Sequence, residues 1–248
     1  MSEPNEDLAT DSAELPSSLA KTLAIDIGGT GIKTIVLDSQ GEPMTERNRL
    51  QTPRPATPDA VLACIRQLAN QQGDFDRVSV GFPAVVRQGI IVSVPHNLDP
   101  TWMKFPMAAQ LEELLGKPTR VANDADIQGL GVIAGDGVEL VLTLGTGLGS
   151  ALFVEGHLVP NLELAHHPFR KSKTYEENLG KVAMEFLGKK KWSKRVLKAI
   201  ESLEALFNYD ALYLGGGNAK KLKVELPSNV HIVPNVAGLL GGIALWRD

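Results

Sequence analysis

The chain has 248 residues, 43% hydrophobic and 22% charged, a globular composition with length for one large or two modest domains. Its net charge of −4 gathers at the start: residues 1–20 carry Glu3, Glu6, Asp7, Asp11 and Glu14 without a Lys or Arg, so the body has 25 basic against 24 acidic residues. This balance gives no support for general nucleic-acid binding, the single Cys64 excludes internal disulfides and multi-cysteine zinc sites, and without a signal peptide or a long apolar run no membrane span is indicated and a cytoplasmic location is expected.

Residues 1–20 read as a disordered acidic leader. An apolar strand over 22–27 then enters the turn DIGGTGIK (Asp26–Lys33) and leaves as a second strand over 32–37. A turn at Gly41–Pro43 and a proline-rich connection (52–58) lead to a helix opened by Pro58 and Asp59 and running to about Gln71, with Cys64 on its apolar face. Strands follow over 77–81 and 89–94, then the polar and aromatic loop PHNLDPTW (95–102), a helix over 106–115 and a short strand over 119–122. That strand delivers Asn123 and Asp124 at its carboxyl end, before a helix over 126–134 whose Gly129, Gly131 and Ala134 permit close packing.

The second half opens like the first, with a strand over 139–144, the turn TLGTGLGS (Thr143–Ser150) and a returning strand over 151–154. A turn at Glu155–Gly156, a loop over 161–173, helices over 174–187 and 192–207, and a strand over 211–214 come next. The cluster LGGGNAKK (214–221) reads as a strand end opening into a helix, and a strand over 231–233 precedes a Gly- and Ala-rich helix over 236–246. Strands alternate with helices, so the class is α/β. Beyond the paired glycine turns no internal repeat is legible.

The glycine turns carry most of the functional information. Lacking Cβ at Gly28, Gly29, Gly31, Gly145, Gly147 and Gly149, they permit positive φ and let an anion approach backbone N–H groups. Neither has the spacing of a Walker loop or of a dinucleotide fingerprint. Two such turns facing one another would grip a phosphate chain, and Gly215, Gly216 and Gly217 stand where a phosphate can meet helix N–H groups. For Asn123 and Asp124 two readings stay open: helix capping, or binding a polyol whose proton the carboxylate accepts. Glu163 and His166, in LELAHHP, can point at one ligand; zinc bound by Glu163, His166 and His167 is the weaker reading, and His167 before Pro168 reads as structural. Asn97 can reach a sugar, and Trp102 pack on it, although loop capping and core packing suit them as well. The basic runs 169–173 and 189–195 read as solvated faces, or as a rail for a long polyanion.

On DIGGTGIK, the NDAD of Asn123–Asp126, TLGTGLGSALF with LVPNLEL, and GGGN at 215–218, the chain resembles the ROK sugar kinases of the hexokinase/actin-like ATPase superfamily, and among them the polyphosphate glucokinases, from about Leu23 to Trp246. The resemblance implies two ribonuclease-H-like α/β domains (21–136 and 137–235) flanking an active-site cleft, with the helix over 236–248 returning to the first. It assigns Asp124 as general base, Asn123, Glu163 and His166 as sugar ligands, and Asp26 as the carboxylate near Mg²⁺. Donor phosphates would meet Gly28, Gly29, Thr30, Gly31 and Lys33, then Thr143, Gly145, Thr146 and Gly147, then Gly215–Gly217.

The implied reaction is phosphoryl transfer from polyphosphate, or ATP, to the 6-hydroxyl of glucose, in a homodimer. The alternatives are an ATP-dependent kinase for mannose or an N-acetylated amino sugar, and a sugar sensor without catalysis. Two departures stand out: Ala165 replaces the glycine of the family's ExGH motif, and the cysteine-rich zinc motif of many members is absent, as it is from the polyphosphate-using kinases. The stretch before the first strand is also expected to be too short for the repressors' helix-turn-helix.

Overall fold

The computed structural model describes residues 20–234 and 241–247. The acidic leader expected over 1–20 therefore lies outside the described residues except for Ala20, as do residues 236–240 and 248 of the expected last helix. Among the described residues no helix is long and apolar enough to cross a membrane.

The first half is built on strands β1 (Thr22–Gly28), β2 (Gly31–Leu37), β3 (Asn48–Leu50), β4 (Arg77–Phe82) and a fifth at Thr119–Asn123. Between the last two, β5 (Val86–Arg87) and β6 (Ile90–Ile91) form a small hairpin turning through Gln88 and Gly89, both at positive φ. With the strand at 119–123 numbered β7, the sheet order is β3-β2-β1-β4-β7: β1 and β2 run antiparallel as a hairpin, β1, β4 and β7 run parallel. Helix α1 (Pro58–Asn70) starts because the Thr57 hydroxyl accepts from Ala60 N–H and Pro58 presets the first turn. It buries Val61, Leu62, Ile65 and Leu68 on one face, each worth about 1.5–3 kcal/mol of apolar transfer. Cys64 is half-buried at the edge of this core. Helix α2 (Met107–Leu115) completes that layer and stops at Gly116, whose φ of 64° is the left-handed conformation of a helix end.

The second sheet repeats the first strand for strand. Strands β8 (Val138–Leu144), β9 (Leu148–Val154), β10 (His157–Val159), β13 (Ala211–Gly215) and β14 (Val230–Ile232) take the order β10-β9-β8-β13-β14, with the same antiparallel hairpin and the same parallel pairs. Its core is covered by α4 (Tyr175–Leu179), α5 (Lys181–Leu187) and α6 (Lys189–Phe207).

Several expected elements are corrected. The helix over 174–187 is two helices, because the chain is extended at Gly180, where Lys181 N–H donates to Thr146 O at 3.2 Å. The loop over 161–173 contains a 3₁₀ turn at Leu164–His166 and a hairpin of β11 (Pro168–Arg170) and β12 (Lys173–Thr174). The strand over 89–94 shortens to β6, and the helix after GGGN is a single 3₁₀ turn at Ala219–Lys221. Within the expected C-terminal helix, Gly241–Trp246 is 3₁₀.

Helix α3 (Asp124–Leu130) lies between the sheets and touches β4 and β7 of one and β8 and β9 of the other. Gly129 permits this: a Cβ there would stand 2.4 Å from the Phe153 ring. Residues 241–246 close the open face of the first sheet. Ser79 Oγ donates to Gly242 O at 2.6 Å, Trp246 Nε1 donates to Ser79 Oγ at 2.8 Å, and the Trp246 ring receives the guanidinium groups of Arg77 and Arg120 at 5.0 and 4.5 Å.

Candidate active site

A cleft of about 500 Å³ opens where the carboxyl ends of the two sheets face each other. Its walls include Gly28, Gly29 and Thr30 from the first turn, and Thr143, Gly145, Thr146 and Gly147 from the second. Asn97, Asn123, Asp124, Glu163 and His166 line it too, so the two turns and the candidate sugar ligands are brought together. Asp26, Gly31 and Lys33 stand outside the lining. Lys33 Nζ donates to Asp26 Oδ2 at 2.6 Å, and Asp26 is near enough to act on the proton affinity of Asp124.

The backbone conformation expected of the glycines is corrected. None of Gly28, Gly29, Gly31, Gly145, Gly147 or Gly149 has positive φ. At three of them space is the requirement: a Cβ would stand 2.6 Å from the Asn97 Cβ at Gly29, 2.2 Å from Glu176 Oε2 at Gly147, and 2.9 Å from the Ala125 Cβ at Gly149. Gly215–Gly217 do not line the cleft. They back the second turn instead, with Gly216 at φ 82° against the Leu144 backbone, while Asn218 Nδ2 donates to Gly145 O at 2.7 Å.

Three consecutive carbonyls of the first turn are held from outside. Thr52 Oγ1 donates to Gly28 O at 2.5 Å, Arg54 Nη2 to Gly29 O at 2.9 Å and Arg49 Nη2 to Thr30 O at 3.1 Å. In the second turn Leu148 N–H donates to Glu176 Oε2 and Gly149 N–H to Thr143 Oγ1, both at 3.0 Å. Arg54 and Glu176 line the cleft, and sequence reasoning missed both. Nothing in the local sequence marks either as a cleft residue.

Strand β7 ends at Asn123, which caps α3: its Oδ1 accepts from Ala125 N–H at 2.8 Å and its Nδ2 donates to Ala84 O at 3.2 Å. Capping is thus realised at Asn123, and Asp124 becomes the first residue of the helix at the cleft floor. Asp124 is reached by solvent through the cleft yet encircled by protein, and the encirclement governs its proton affinity. Burial first, then the Asp26 charge and more weakly Glu163, raise its pKa from 3.8 to about 7, against the lowering effect of the Ala125 N–H bond. The buried Asp126 is also pushed up to about 7, by burial and then by the charges of Asp124 and Glu163.

Glu163 is held by its neighbours in the chain. Ser150 Oγ donates to Leu162 O at 2.7 Å and accepts from Leu164 N–H at 3.2 Å, clamping the loop at both sides of Glu163. The His166 Nε2 lies 3.6 Å from Glu163 Oε2, and the His166 ring packs at a tilt of 33° against His96 of the first half with centroids 4.5 Å apart. His96 is a further lining residue that the sequence reading did not single out, although its loop was marked by polar and aromatic density. Burial raises the Glu163 pKa while the two imidazoles pull it down. Ala165 is buried beside Leu164 and also lines the cleft, and His167 turns away to pack on Tyr175. Trp102 is fully buried against Phe82 and Phe105, so it belongs to the core and touches no ligand space.

Among the described residues no group of three His, Cys, Asp or Glu side chains could hold a metal ion by itself. That rules against zinc at Glu163, His166 and His167. Asp26, paired with Lys33 and close enough for its charge to act on Asp124, is the carboxylate here that could join substrate phosphates and water around a Mg²⁺ ion.

A family model described as the ROK family matches residues 22–161. The polyphosphate glucokinase of Mycobacterium tuberculosis is 33% identical over 233 residues, 88% of either chain, and that of Mycobacterium leprae 31% identical over 237 residues, 92% of this chain and 73% of the other. The crystal structure of the inorganic polyphosphate/ATP-glucomannokinase from Arthrobacter sp. strain KM matches with a TM-score of 0.82 at 34% identity, covering 92% of this chain and 100% of that one. A ROK glucokinase from Streptomyces griseus, 19% identical with a TM-score of 0.72, shares the fold, covering 91% of this chain and 98% of the other.

Proposed function

The chain belongs to the ROK family, a sugar kinase of the actin-like ATPase fold, and from that premise we propose that it transfers a phosphoryl group from inorganic polyphosphate, and also from ATP, to the 6-hydroxyl of glucose. One observation carries the reading: a carboxylate of raised proton affinity, Asp124, at the floor of a cleft between two glycine turns. Asp124 accepts the proton of the attacking hydroxyl, Asn123, Glu163, His166 and Asn97 hold the sugar, and the two turns receive the donor. Mg²⁺ would be held by Asp26 together with the donor and would neutralise phosphate charge, leaving the Asp124 carboxylate free to act as the base. The transferring group needs little covalent help, so the protein acts by positioning and electrostatics. Closing the halves over the sugar keeps water from competing as acceptor.

The reading includes two domains (21–136 with 236–248, and 137–235), a cytoplasmic homodimer, and no nucleic-acid or membrane partner. The mannose in the Arthrobacter enzyme's name makes that hexose the second acceptor to assay. The test supplies glucose, mannose and N-acetylmannosamine with polyphosphate and ATP separately. Product from glucose with polyphosphate is expected; strict dependence on ATP would refute the donor, and sugar binding without product from either donor would make the protein a sensor.

A further inference from the structure

A second concavity, of about 330 Å³, lies outside the cleft and is lined by Arg170, Leu187, Lys191, Lys194, Arg195 and Lys198, so that five of its six residues are cationic and none is acidic. The four from α6 stand at positions 191, 194, 195 and 198, the spacing of one helical face. Lys191, Lys194 and Lys198 are exposed, and the partner found for Lys198 is Glu201 at 3.9 Å, itself outside the groove. Arg195 is oriented by Asn178, whose Oδ1 accepts from its Nη1 at 3.3 Å. Five like charges around one groove repel each other, and an anion that spans them relieves that repulsion.

Two short connections join this groove to the cleft. Arg170 follows His166 by four residues, a reach of at most about 14 Å even if fully extended. Asn178 lies in α4 two residues after Glu176, which lines the cleft. We infer that the groove is a docking site for the distal part of a polyphosphate chain whose terminal phosphoryl lies in the cleft. The inference rests on the polyphosphate-donor reading above and adds a place for the rest of the donor. A flexible chain of repeating anions complements a row of cations without needing directional contacts. Long donors therefore gain attraction that short donors, confined to the cleft, do not.

The test uses the full chain carrying Lys191→Glu, Lys194→Glu and Lys198→Glu, with the corresponding triple Gln variant as the milder change. Equilibrium binding of long-chain polyphosphate is measured without sugar, and kcat and KM are measured for long-chain polyphosphate, tripolyphosphate and ATP. The expected result is a loss of about ten-fold or more in long-chain affinity and a matching rise in its KM, within the range that electrostatic steering supplies. The kcat and both short donors should be unaffected, and the native long-chain KM should rise with salt more steeply than the others. Unchanged long-chain binding in both variants would overturn the groove, as would equal losses for long and short donors in both. If the native protein proves to use ATP alone, the donor reading fails and the inference fails with it; if polyphosphate is a donor and the variants bind its long chains as tightly as the native protein, the groove alone fails.

Discussion

Asp124 is the residue on which the proposed chemistry converges. Replacing it by Asn keeps an oxygen for the Ala125 N–H and removes the base, so turnover should fall by about 10²–10⁴-fold with sugar affinity largely retained. Because the base works deprotonated and its pKa is raised to about 7, kcat/KM should climb about tenfold per pH unit below that value and level off above it. An acid limb near 4 would detach the base from this environment. Asp126 gives a separate test through stability. Its folded pKa is raised above the unfolded one, so its destabilising contribution is absent below about pH 4, grows as pH rises and is complete above about 7. Denaturant titrations should therefore find Asp126→Asn gaining stability relative to the parent as pH rises from about 4 to about 7, with no further gain above. Asn123 and Asp124 were legible in the sequence because a strand end followed by a helix is a recognisable place. Arg54, His96 and Glu176 were not, since each reaches the cleft from a distant segment and no local pattern says where its side chain ends.

At the scale of elements, the sugar loop and α3 are the parts whose placement decides function. Ser150→Ala removes two bonds to the backbone beside Glu163 and leaves a carbonyl and an amide without their partner. Thermal unfolding should report a loss of about 1–3 kcal/mol, and the sugar KM should rise while the donor KM does not. Gly129→Ala would ordinarily favour a helix by up to about 1 kcal/mol, but its methyl meets the fully buried Phe153 ring, and overpacking of this kind costs about 1–3 kcal/mol. Net destabilisation is expected, together with lost turnover as α3 and its N-terminal carboxylate shift; a stabilised and active variant would show that the interface yields. The close packing was foreseen from Gly129, whereas the break at Gly180 was not. An apolar pattern running through 174–187 says helix, and the competing attraction of the Thr146 carbonyl exists only in three dimensions.

At the scale of the molecule, one sheet order occurs twice, and a single short helix is shared between the copies. The sequence revealed that duplication at its two glycine turns and nowhere else. The edge strands β3 and β10 explain why: each has three residues and none is fully buried, so neither leaves the apolar run by which a strand is recognised. The clasp of Gly241–Trp246 on Ser79 has a consequence for synthesis on the ribosome. The outer layer of the first half waits for residues made more than 160 positions later than the strand they cover. Trp102 and Trp192 each sit wholly inside one half and Trp246 sits at the clasp, so these three indoles divide the molecule's assembly among separate reporters. Chains retaining one tryptophan each should show the Trp246 emission settling last during refolding, after both interior signals have reached their final wavelength.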